Sequence, residues 1–232
     1  MKLFFVIHIP FSAYSEQLAA ISSSKAHTDF FCYNLGMSYV IAGLGNPGGE
    51  YAQSRHNAGR LALASFRAAQ KFDDFALNKV KKALLANGVV GKEKVQLVLP
   101  ETFMNKSGSS VALFVKSVKA ASKLVVVYDD LDLPLGKIKI SFSRGSGGHK
   151  GVESIARAVK TKDFIRIRIG VSKASKSGVA KKVHGEDEVI GFVLGTFSKG
   201  EMEELQPVFK KINEALETIV VDGYEAAMNR FN

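Results

Sequence analysis

The sequence has a single cysteine and no apolar run long enough to cross a membrane. With Cys32 alone, an intramolecular disulfide and a cysteine-based zinc site are both excluded. The apolar run at residues 3–11 is interrupted by Pro10 and is much shorter than the roughly 20 residues that a transmembrane helix needs. We therefore expect a protein of a reducing compartment that has no membrane partner.

Acidic residues are scarce relative to basic ones. The 232 residues include 32 lysines and arginines against 22 aspartates and glutamates, which gives a formal net charge of +10. Residues 1–37 hold two charges of each sign, so the whole excess lies in the rest of the chain, with clusters at 79–82, 137–139, 166–168 and 173–182. This distribution indicates a polyanionic partner such as a nucleic acid. The alternative is a solvated basic surface that only keeps the protein soluble.

Residues 1–37 differ in character from the rest of the chain. They include a serine-rich, acid-poor stretch and contain no arginine, and Met37 stands just before a strand-like run. We predict an N-terminal extension outside the fold. It is either a mitochondrial targeting segment or an upstream stretch that is unused if translation starts at Met37, in which case the protein is cytoplasmic. Residues 38–232 are enough for one sizeable domain.

Hydrophobic periodicity predicts alternating strands and helices. Short apolar or alternating runs predict strands at residues 39–44, 95–99, 124–128, 137–142 and 164–171. Apolar residues that recur every three or four positions predict helices at 57–72, 107–119 and 152–160.

The C-terminal part begins with a helix-start signal. Ser198 and Glu201 form a capping box before a long amphipathic helix, whereas residues 174–188 have no period and are predicted to be a mobile surface loop. The order of elements predicts an α/β protein: a single-domain α/β/α sandwich around a mixed, largely parallel, twisted sheet.

Four short stretches carry the polar residues suited to chemistry. Each lies just after a predicted strand or at the start of a helix, where α/β folds bind their ligands. They are G-L-G-N-P-G-G-E-Y with S-R-H-N-A-G (43–51 and 54–59), P-E-T-F-M-N-K-S-G (100–108), Y-D-D-L-D-L-P-L-G (128–136) and R-G-S-G-G-H-K-G (144–151).

Each stretch also has a plainer interpretation. The G-x-G of the first stretch is weak evidence for a dinucleotide-binding site. Such a site needs a third glycine at the start of a helix, and Pro47 stands in the way. Asn105 precedes a predicted helix and could be its N-cap. The acids that follow Tyr128 could bind a metal, although no second ligand cluster accompanies them. The glycine-rich loop at 144–151 could cradle a phosphate, but it lacks the G-K-S/T ending of a P-loop.

Taken together, the four stretches resemble the bacterial type of peptidyl-tRNA hydrolase, in the same order and at similar spacing. The similarity runs from about residue 38 to the C-terminus and includes R-I-R-I-G and V-I-G-F-V-L-G, which end at Gly170 and Gly195. The resemblance implies hydrolysis of the ester between a peptide and the 3′ ribose of tRNA, which releases free tRNA and peptide. It also implies a monomer that needs no metal or other cofactor.

The resemblance assigns roles to individual residues. His56 corresponds to the general base that deprotonates the attacking water, and Asp129 to the carboxylate that orients and stabilises its ring. Asn46 and Asn105 correspond to residues that bind the peptidyl ester region, where a neutral amide can both donate and accept hydrogen bonds. Tyr51 corresponds to a tyrosine that helps close the cleft.

Three further positions belong to the implied substrate site. Met104 corresponds to a residue that packs against the substrate, and a core-filling role is its alternative. His149 corresponds to a histidine that lines the substrate channel. Lys150 stands where the family has an asparagine thought to orient the water, and a lysine cannot accept a hydrogen bond. Two hypotheses follow: Lys150 contacts a phosphate near the acceptor end, or catalysis is slower here.

The implied contacts to the tRNA acceptor arm fall on basic residues of two predicted strands. They are Arg168, with Lys139 and Arg166 beside it, and the alternative for the last two is a solvated strand face. The loop at 174–188 corresponds to a mobile lid that adds basic residues. We expect an affinity for tRNA that falls steeply with salt concentration.

Two functions of other classes are alternatives to this interpretation. Some relatives are RNA-binding splicing factors with weak or no hydrolase activity. The intact Asn46, His56, Asn105 and Asp129 favour the enzyme, whereas Lys150 favours the splicing factor. A ribosome-bound release factor would need a G-G-Q tripeptide, which the sequence lacks.

Overall fold

The computed structural model describes residues 39–175, 178–181 and 183–232. The predicted N-terminal extension, and with it the predicted targeting segment, lies outside the described residues. So do two lysines of the basic cluster at 173–182, Lys176 and Lys182.

The described residues form seven strands and seven α-helices, joined in places by short 3-10 helices. The strands are β1 (Tyr39–Gly43), β2 (Ala76–Asn78), β3 (Ala83–Val90), β4 (Glu93–Pro100), β5 (Leu124–Pro134), β6 (Ile138–Phe142) and β7 (Ile165–Ser172). The helices are α1 (Ala58–Ala69), α2 (Gly108–Val111), α3 (Val118–Ala121), α4 (Lys150–Val159), α5 (Glu186–Leu194), α6 (Lys199–Asp222) and α7 (Tyr224–Phe231). The 3-10 helices are Gly49–Tyr51, Arg55–Asn57 and Met104–Lys106.

All seven strands belong to one mixed sheet in the order β2-β3-β4-β1-β5-β7-β6. The central strands β4, β1, β5 and β7 are parallel. The strands β2 and β3 on one side, and β6 on the other, pair antiparallel to their neighbours. This topology confirms the predicted single α/β domain with a mixed, largely parallel sheet.

Helices cover both faces of the sheet and enclose two apolar cores. The larger core lies between one face and the helices α1, α6 and α7, with Leu63, Ile167 and Leu216 among its fully buried members. The smaller core lies under α2, α3 and α4 on the other face and contains Val126 and Ile155. The cationic side chains of Lys139, Arg166 and Arg168, described below, also lie on this second face.

The predicted helix at residues 107–119 is wrong. The segment forms two single-turn helices, α2 and α3, separated by residues 112–117. Ser117 begins the second one, because its side chain accepts the Ala120 N–H at 3.1 Å. Serine and glycine at positions 107–110 also have poor helix propensity. Val118, predicted on the buried face, is 54% exposed.

Other boundaries differ from the prediction in informative ways. The hairpin strands β2 and β3 had no predicted counterpart, since both lie at the sheet margin and β3 includes Asn87 and Gly88, which disfavour strands. The end of the predicted loop at 174–188 is the first turn of α5, which has three acids at its N-terminus. The capping box at Ser198 and Glu201 is confirmed.

The parallel arrangement gathers the predicted site residues at one edge. The strands β1, β4 and β5 run in the same direction, so the segments that follow them leave the sheet at the same edge. The segments after β1 and β4 carry Asn46 and the Met104–Lys106 turn, and Asp129 lies within β5 at the end of its buried part. Within the described ranges, no helix is both long and apolar enough to span a bilayer.

The fit of α1 against the sheet depends on Gly59. A methyl group at this position would overlap the Val127 carbonyl oxygen and the Leu44 backbone. We therefore expect Gly59→Ala to lower the free energy of unfolding by about 1–3 kcal/mol, measured by urea denaturation. Gly200→Ala is the matched control, since Gly200 is also helical but has open space around it. That control should be neutral or stabilising, and an equal loss in both variants would contradict the explanation.

Candidate active site

His56 lies at the edge of the sheet, in the Arg55–Asn57 turn that leads into α1. Its Nδ1 is 3.0 Å from both carboxylate oxygens of Asp129, at the end of the buried part of β5. The turn is fixed from the other side by Arg55, whose Nη2 lies 3.0 Å from both carboxylate oxygens of Glu201. The predicted pair of His56 and Asp129 is therefore in direct contact.

A second histidine binds the same carboxylate. His149 Nε2 lies 3.0 Å from Asp129 Oδ1, and His149 Nδ1 accepts the Val152 N–H at 3.3 Å as the N-cap of α4. Since Nδ1 is an acceptor, the proton of a neutral His149 is on Nε2 and is donated to Asp129. The carboxylate also accepts from His56 Nδ1, which leaves the lone pair of His56 Nε2 free to act as a base.

The Asp129 carboxylate and the His56 ring shift each other's pKa. Burial alone would raise the pKa of Asp129, but the neighbouring His56 and His149 hold it well below its usual value. Burial alone would lower the pKa of His56, but the charge of Asp129 and the hydrogen bond to it raise that pKa above its ordinary value. Asp129 is thus a stable anion beneath the base.

Asn46 is held rigidly by three hydrogen bonds. Its backbone N–H donates to Asn57 Oδ1 at 2.8 Å, and its carbonyl accepts from Asn57 Nδ2 at 3.0 Å. Its side-chain Oδ1 accepts the Met104 N–H at 2.9 Å. Because the amide oxygen is occupied, the Asn46 NH2 group is the end that remains available to a ligand.

The other predicted substrate residues have different surroundings. Asn105 is exposed in the Met104–Lys106 turn, makes no hydrogen bond to the described residues and does not cap α2. Met104 is 5% exposed and packs in the smaller core against Gly151. This burial favours its core-filling alternative. Tyr51 is half-buried at the end of the Gly49–Tyr51 turn.

A cavity of about 570 Å³ opens beside the histidine pair and Asp129. Helix α5 forms an apolar wall of this cavity through Val189, Ile190 and Val193. At the mouth, Lys150 Nζ lies 3.8 Å from Glu186 Oε1, and both side chains are largely exposed. Lys150 therefore lines the cavity and faces the first turn of α5.

The three predicted tRNA-binding residues share one face of the sheet. Lys139 is paired with Arg168 across β6 and β7, and Ser141 is paired with Arg166, so side chains of both pairs point to the same side. Lys139 is exposed, Arg168 Nη1 binds Asp130 Oδ2 at 2.9 Å, and Arg166 is 1% exposed. Arg166 is therefore not part of a solvated strand face.

His56, Asp129 and His149 also form the one described group whose ligand atoms could hold a metal ion, all within 4.8 Å of one another. In this geometry the ring nitrogens that face Asp129 are engaged in hydrogen bonds. The prediction of metal-independent activity stays a prediction.

The sequence interpretation missed two residues of this site. Asn57 forms two hydrogen bonds to the backbone of Asn46. The only feature of the sequence that pointed to Asn57 is its position directly after His56. Tyr128 packs edge-on against His149, with ring centroids 4.8 Å apart, and burial raises its pKa to about 12. Because Tyr128 ends the unbroken apolar run at residues 124–128, the sequence indicated only a core residue at this position.

Comparison with known proteins places this geometry in a family. The family model for peptidyl-tRNA hydrolase matches residues 40–232. The chain belongs to the peptidyl-tRNA hydrolase family. A curated relative of that name from Alkaliphilus oremlandii is 39% identical over 84% of this chain and 99% of its own. Another, from Herpetosiphon aurantiacus, is 40% identical over 84% of this chain and 90% of its own.

Solved structures of the family share the fold. The crystal structure of peptidyl-tRNA hydrolase from Acinetobacter baumannii has a TM-score of 0.73 and 30% sequence identity, and it covers 85% of this chain and 96% of that one. None of these relatives supports the splicing-factor interpretation.

The pairing of His56 with Asp129 predicts how activity in this family member depends on pH. The base must be neutral, so kcat should rise as pH rises through the raised pKa of His56. Asp129→Asn removes the carboxylate that raises this pKa, so the acidic limb should move to lower pH. The plateau should fall on the order of 10³- to 10⁴-fold, because the ring loses its enforced tautomer.

The measurement is a kcat profile from pH 5 to 9 for both proteins. Asp132→Asn is the control, because Asp132 lines the same cavity without contacting either ring. An acidic limb that stays in place in Asp129→Asn would show that the limb does not report His56.

Proposed function

We propose that the protein hydrolyses the ester bond of peptidyl-tRNA and releases free tRNA and the peptide acid. The observation that supports this proposal most strongly is the geometry of His56. Its Nε2 is free and lies beside a cavity, and its other ring nitrogen, Nδ1, is bound to the buried Asp129 carboxylate. This is the arrangement of an oriented general base. The family membership supports the ester of peptidyl-tRNA as the bond that is cleaved.

The reaction follows from the hydrogen-bond donors and acceptors. His56 Nε2 removes a proton from water as the water oxygen attacks the ester carbonyl carbon. Asp129 stabilises the imidazolium that forms. When the tetrahedral intermediate collapses, the bond to the ribose 3′ oxygen breaks and His56 returns the proton to that oxygen. Water is thereby divided between the peptide carboxyl group and the ribose hydroxyl.

Asn46 is suited to bind the peptidyl ester. Its NH2 group is the free end of an amide whose oxygen is fixed by the Met104 N–H. A rigid neutral donor can bind a carbonyl oxygen as negative charge develops on it. The exposed Asn105 lies in the adjacent turn and supplies a second amide for the peptide, while Tyr51 helps close the cleft.

The RNA part of the substrate is proposed to lie along the cationic side of the sheet. Lys139, Arg166 and Arg168 share that face, and the excess of positive charge favours a polyanion. We assign the acceptor arm to this side. The monomeric state and the mitochondrial location stay predictions, with the cytoplasm as the alternative if translation starts at Met37.

The direct test is hydrolysis of an N-blocked aminoacyl-tRNA in a buffer that contains a chelator. We expect the wild type to release free tRNA and His56→Ala to lose activity on the order of 10²- to 10⁴-fold. His184→Ala is the control, because His184 is another histidine that lines the cavity. If the wild type binds this substrate but releases no tRNA, the proposed function fails.

The lysine at position 150 gives a second test. In Lys150→Asn we expect either faster turnover, if the lysine slows catalysis, or weaker tRNA binding, if its ammonium contacts a phosphate. Both kcat and the Kd for uncharged tRNA are measured. Glu186→Gln is the control, since it removes the ion pair and keeps the lysine. Unchanged turnover together with unchanged affinity would contradict both hypotheses.

A further inference from the structure

The turn that carries His56 is attached to the segment that joins α5 to α6. Residues 53–55 and 195–197 pair through two backbone hydrogen bonds of 3.0 Å, in which the N–H groups of Arg55 and Phe197 are the donors. An isolated antiparallel bridge lies between these two bonds. The backbone directly before the base is therefore held by the chain that links the two helices.

The Arg55 side chain adds contacts to both of these helices. Its guanidinium carbon lies 4.7 Å from the centroid of the Phe192 ring, in α5, and 5.5 Å from that of the Phe197 ring. Its Nη2 donates to both carboxylate oxygens of Glu201, in the first turn of α6, at 3.0 Å. The side chains of this ion pair are only 12% and 14% exposed. One mostly buried cation thus connects the residue before the base with α5 and α6.

Helix α5 is also a wall of the cavity beside the base. Phe192, which Arg55 contacts, directly precedes Val193, and Val193 lines this cavity together with His56. Arg55 itself does not belong to the described lining of the cavity. Any effect of Arg55 on the reaction must therefore be exerted through His56 and not by contact with the substrate.

The simpler interpretation of Arg55 is an ion pair that only stabilises the fold. The way in which His56 is held argues for a more specific role. Asp129 binds Nδ1 of the ring and so fixes its tautomer, but the position of the backbone that carries the ring depends on the turn. A base must lie within hydrogen-bonding distance of its water, and a displacement of about 1 Å can cost about 100-fold in rate.

We propose that Arg55 is a positioning residue of the reaction, which holds the His56 turn against α5 and α6 so that Nε2 faces the attacking water. This inference rests on the proposed function, since it takes His56 as the base. A planar guanidinium can contact aromatic rings and donate to a carboxylate at the same time. The ammonium group of a lysine is a compact point charge and cannot replace it in both contacts.

The first test is Arg55→Lys, which keeps the charge and loses the planar group. We expect kcat for an N-blocked aminoacyl-tRNA to fall about 10- to 100-fold while KM stays within about twofold, because the lining of the cavity is unchanged. The acidic limb of the kcat profile should also move to lower pH. A looser turn weakens the contact with Asp129 that raises the pKa of His56.

The second test approaches the same contact from its other side. Glu201→Gln removes the charge that Arg55 meets, and the start of α6 is kept because glutamine also serves in a capping box. We expect a smaller change in kcat and in the acidic limb, in the same direction. In the double variant with Arg55→Lys, the loss should be smaller than the product of the two single losses, since both changes weaken one contact.

Arg67→Lys is the matched control. Arg67 forms an ion pair with Asp74 at the other end of α1, far along the helix from the base. We expect wild-type kcat and an unchanged acidic limb. An equal loss of kcat in Arg67→Lys and Arg55→Lys would mean that any loosening of the fold slows the enzyme, and it would overturn the proposal. So would an Arg55→Lys protein that has a lower Tm but the kcat and pH profile of the wild type.

A spectroscopic readout separates this proposal from the proposed function. The His56 ring is titrated by heteronuclear NMR in the free protein, and its signals are identified by their loss in His56→Ala. We expect a lower pKa of His56 in Arg55→Lys than in the wild type. Identical titration curves would overturn the positioning role whether or not the ester is hydrolysed. If the curves differ but the wild type releases no tRNA, the proposed function fails while the effect of Arg55 on the ring stands.

Discussion

The Asp129 carboxylate accepts hydrogen bonds from two histidines that come from distant parts of the chain, and the geometry of the site depends on this shared anion. His56 arrives through the turn before α1 and His149 through the N-cap of α4. A carboxylate at the end of a buried strand is costly to desolvate unless donors surround it. Two ring N–H groups provide that compensation, and in return the anion fixes the orientation of both rings.

The same principle of fixed polar groups extends to the loops around the base. Asn57 uses both ends of its amide on the Asn46 backbone, and Asn46 in turn binds the Met104 N–H. Below them Arg60 donates to the Pro100 carbonyl at 2.8 Å and to Glu101 at 2.6 Å. These bonds connect α1 with the segments that follow β1 and β4. A cleft built in this way can hold its amide donors in place before the substrate arrives, so less ordering is needed on binding.

Much of this fold could be predicted from periodicity, because β1 and residues 124–128 of β5 read as unbroken apolar runs, while β6 and β7 alternate between apolar and polar residues. The hairpin at one margin of the sheet could not. Strands β2 and β3 lie at the sheet edge, where propensity is weak, and the helix predicted over 107–119 breaks because Ser117 starts a new turn. For the site, a histidine and an aspartate 73 positions apart carry no local signal of contact. Their pairing was implied by the family resemblance and depends on the parallel neighbours β1 and β5.

The burial of Arg166 is the feature that was hardest to predict from the sequence. The alternating R-I-R-I pattern indicates a strand with a solvated basic face, yet the first arginine is buried and only the second is partly exposed. Arg166 lines a cavity together with residues of α4, whereas Arg168 pairs with Asp130. A protein selected for stability alone would place an apolar residue or a carboxylate partner there. The active site balances a buried anion with two donors, whereas the charge of the buried Arg166 interacts with the Phe164 ring and with the Asp163 carboxylate.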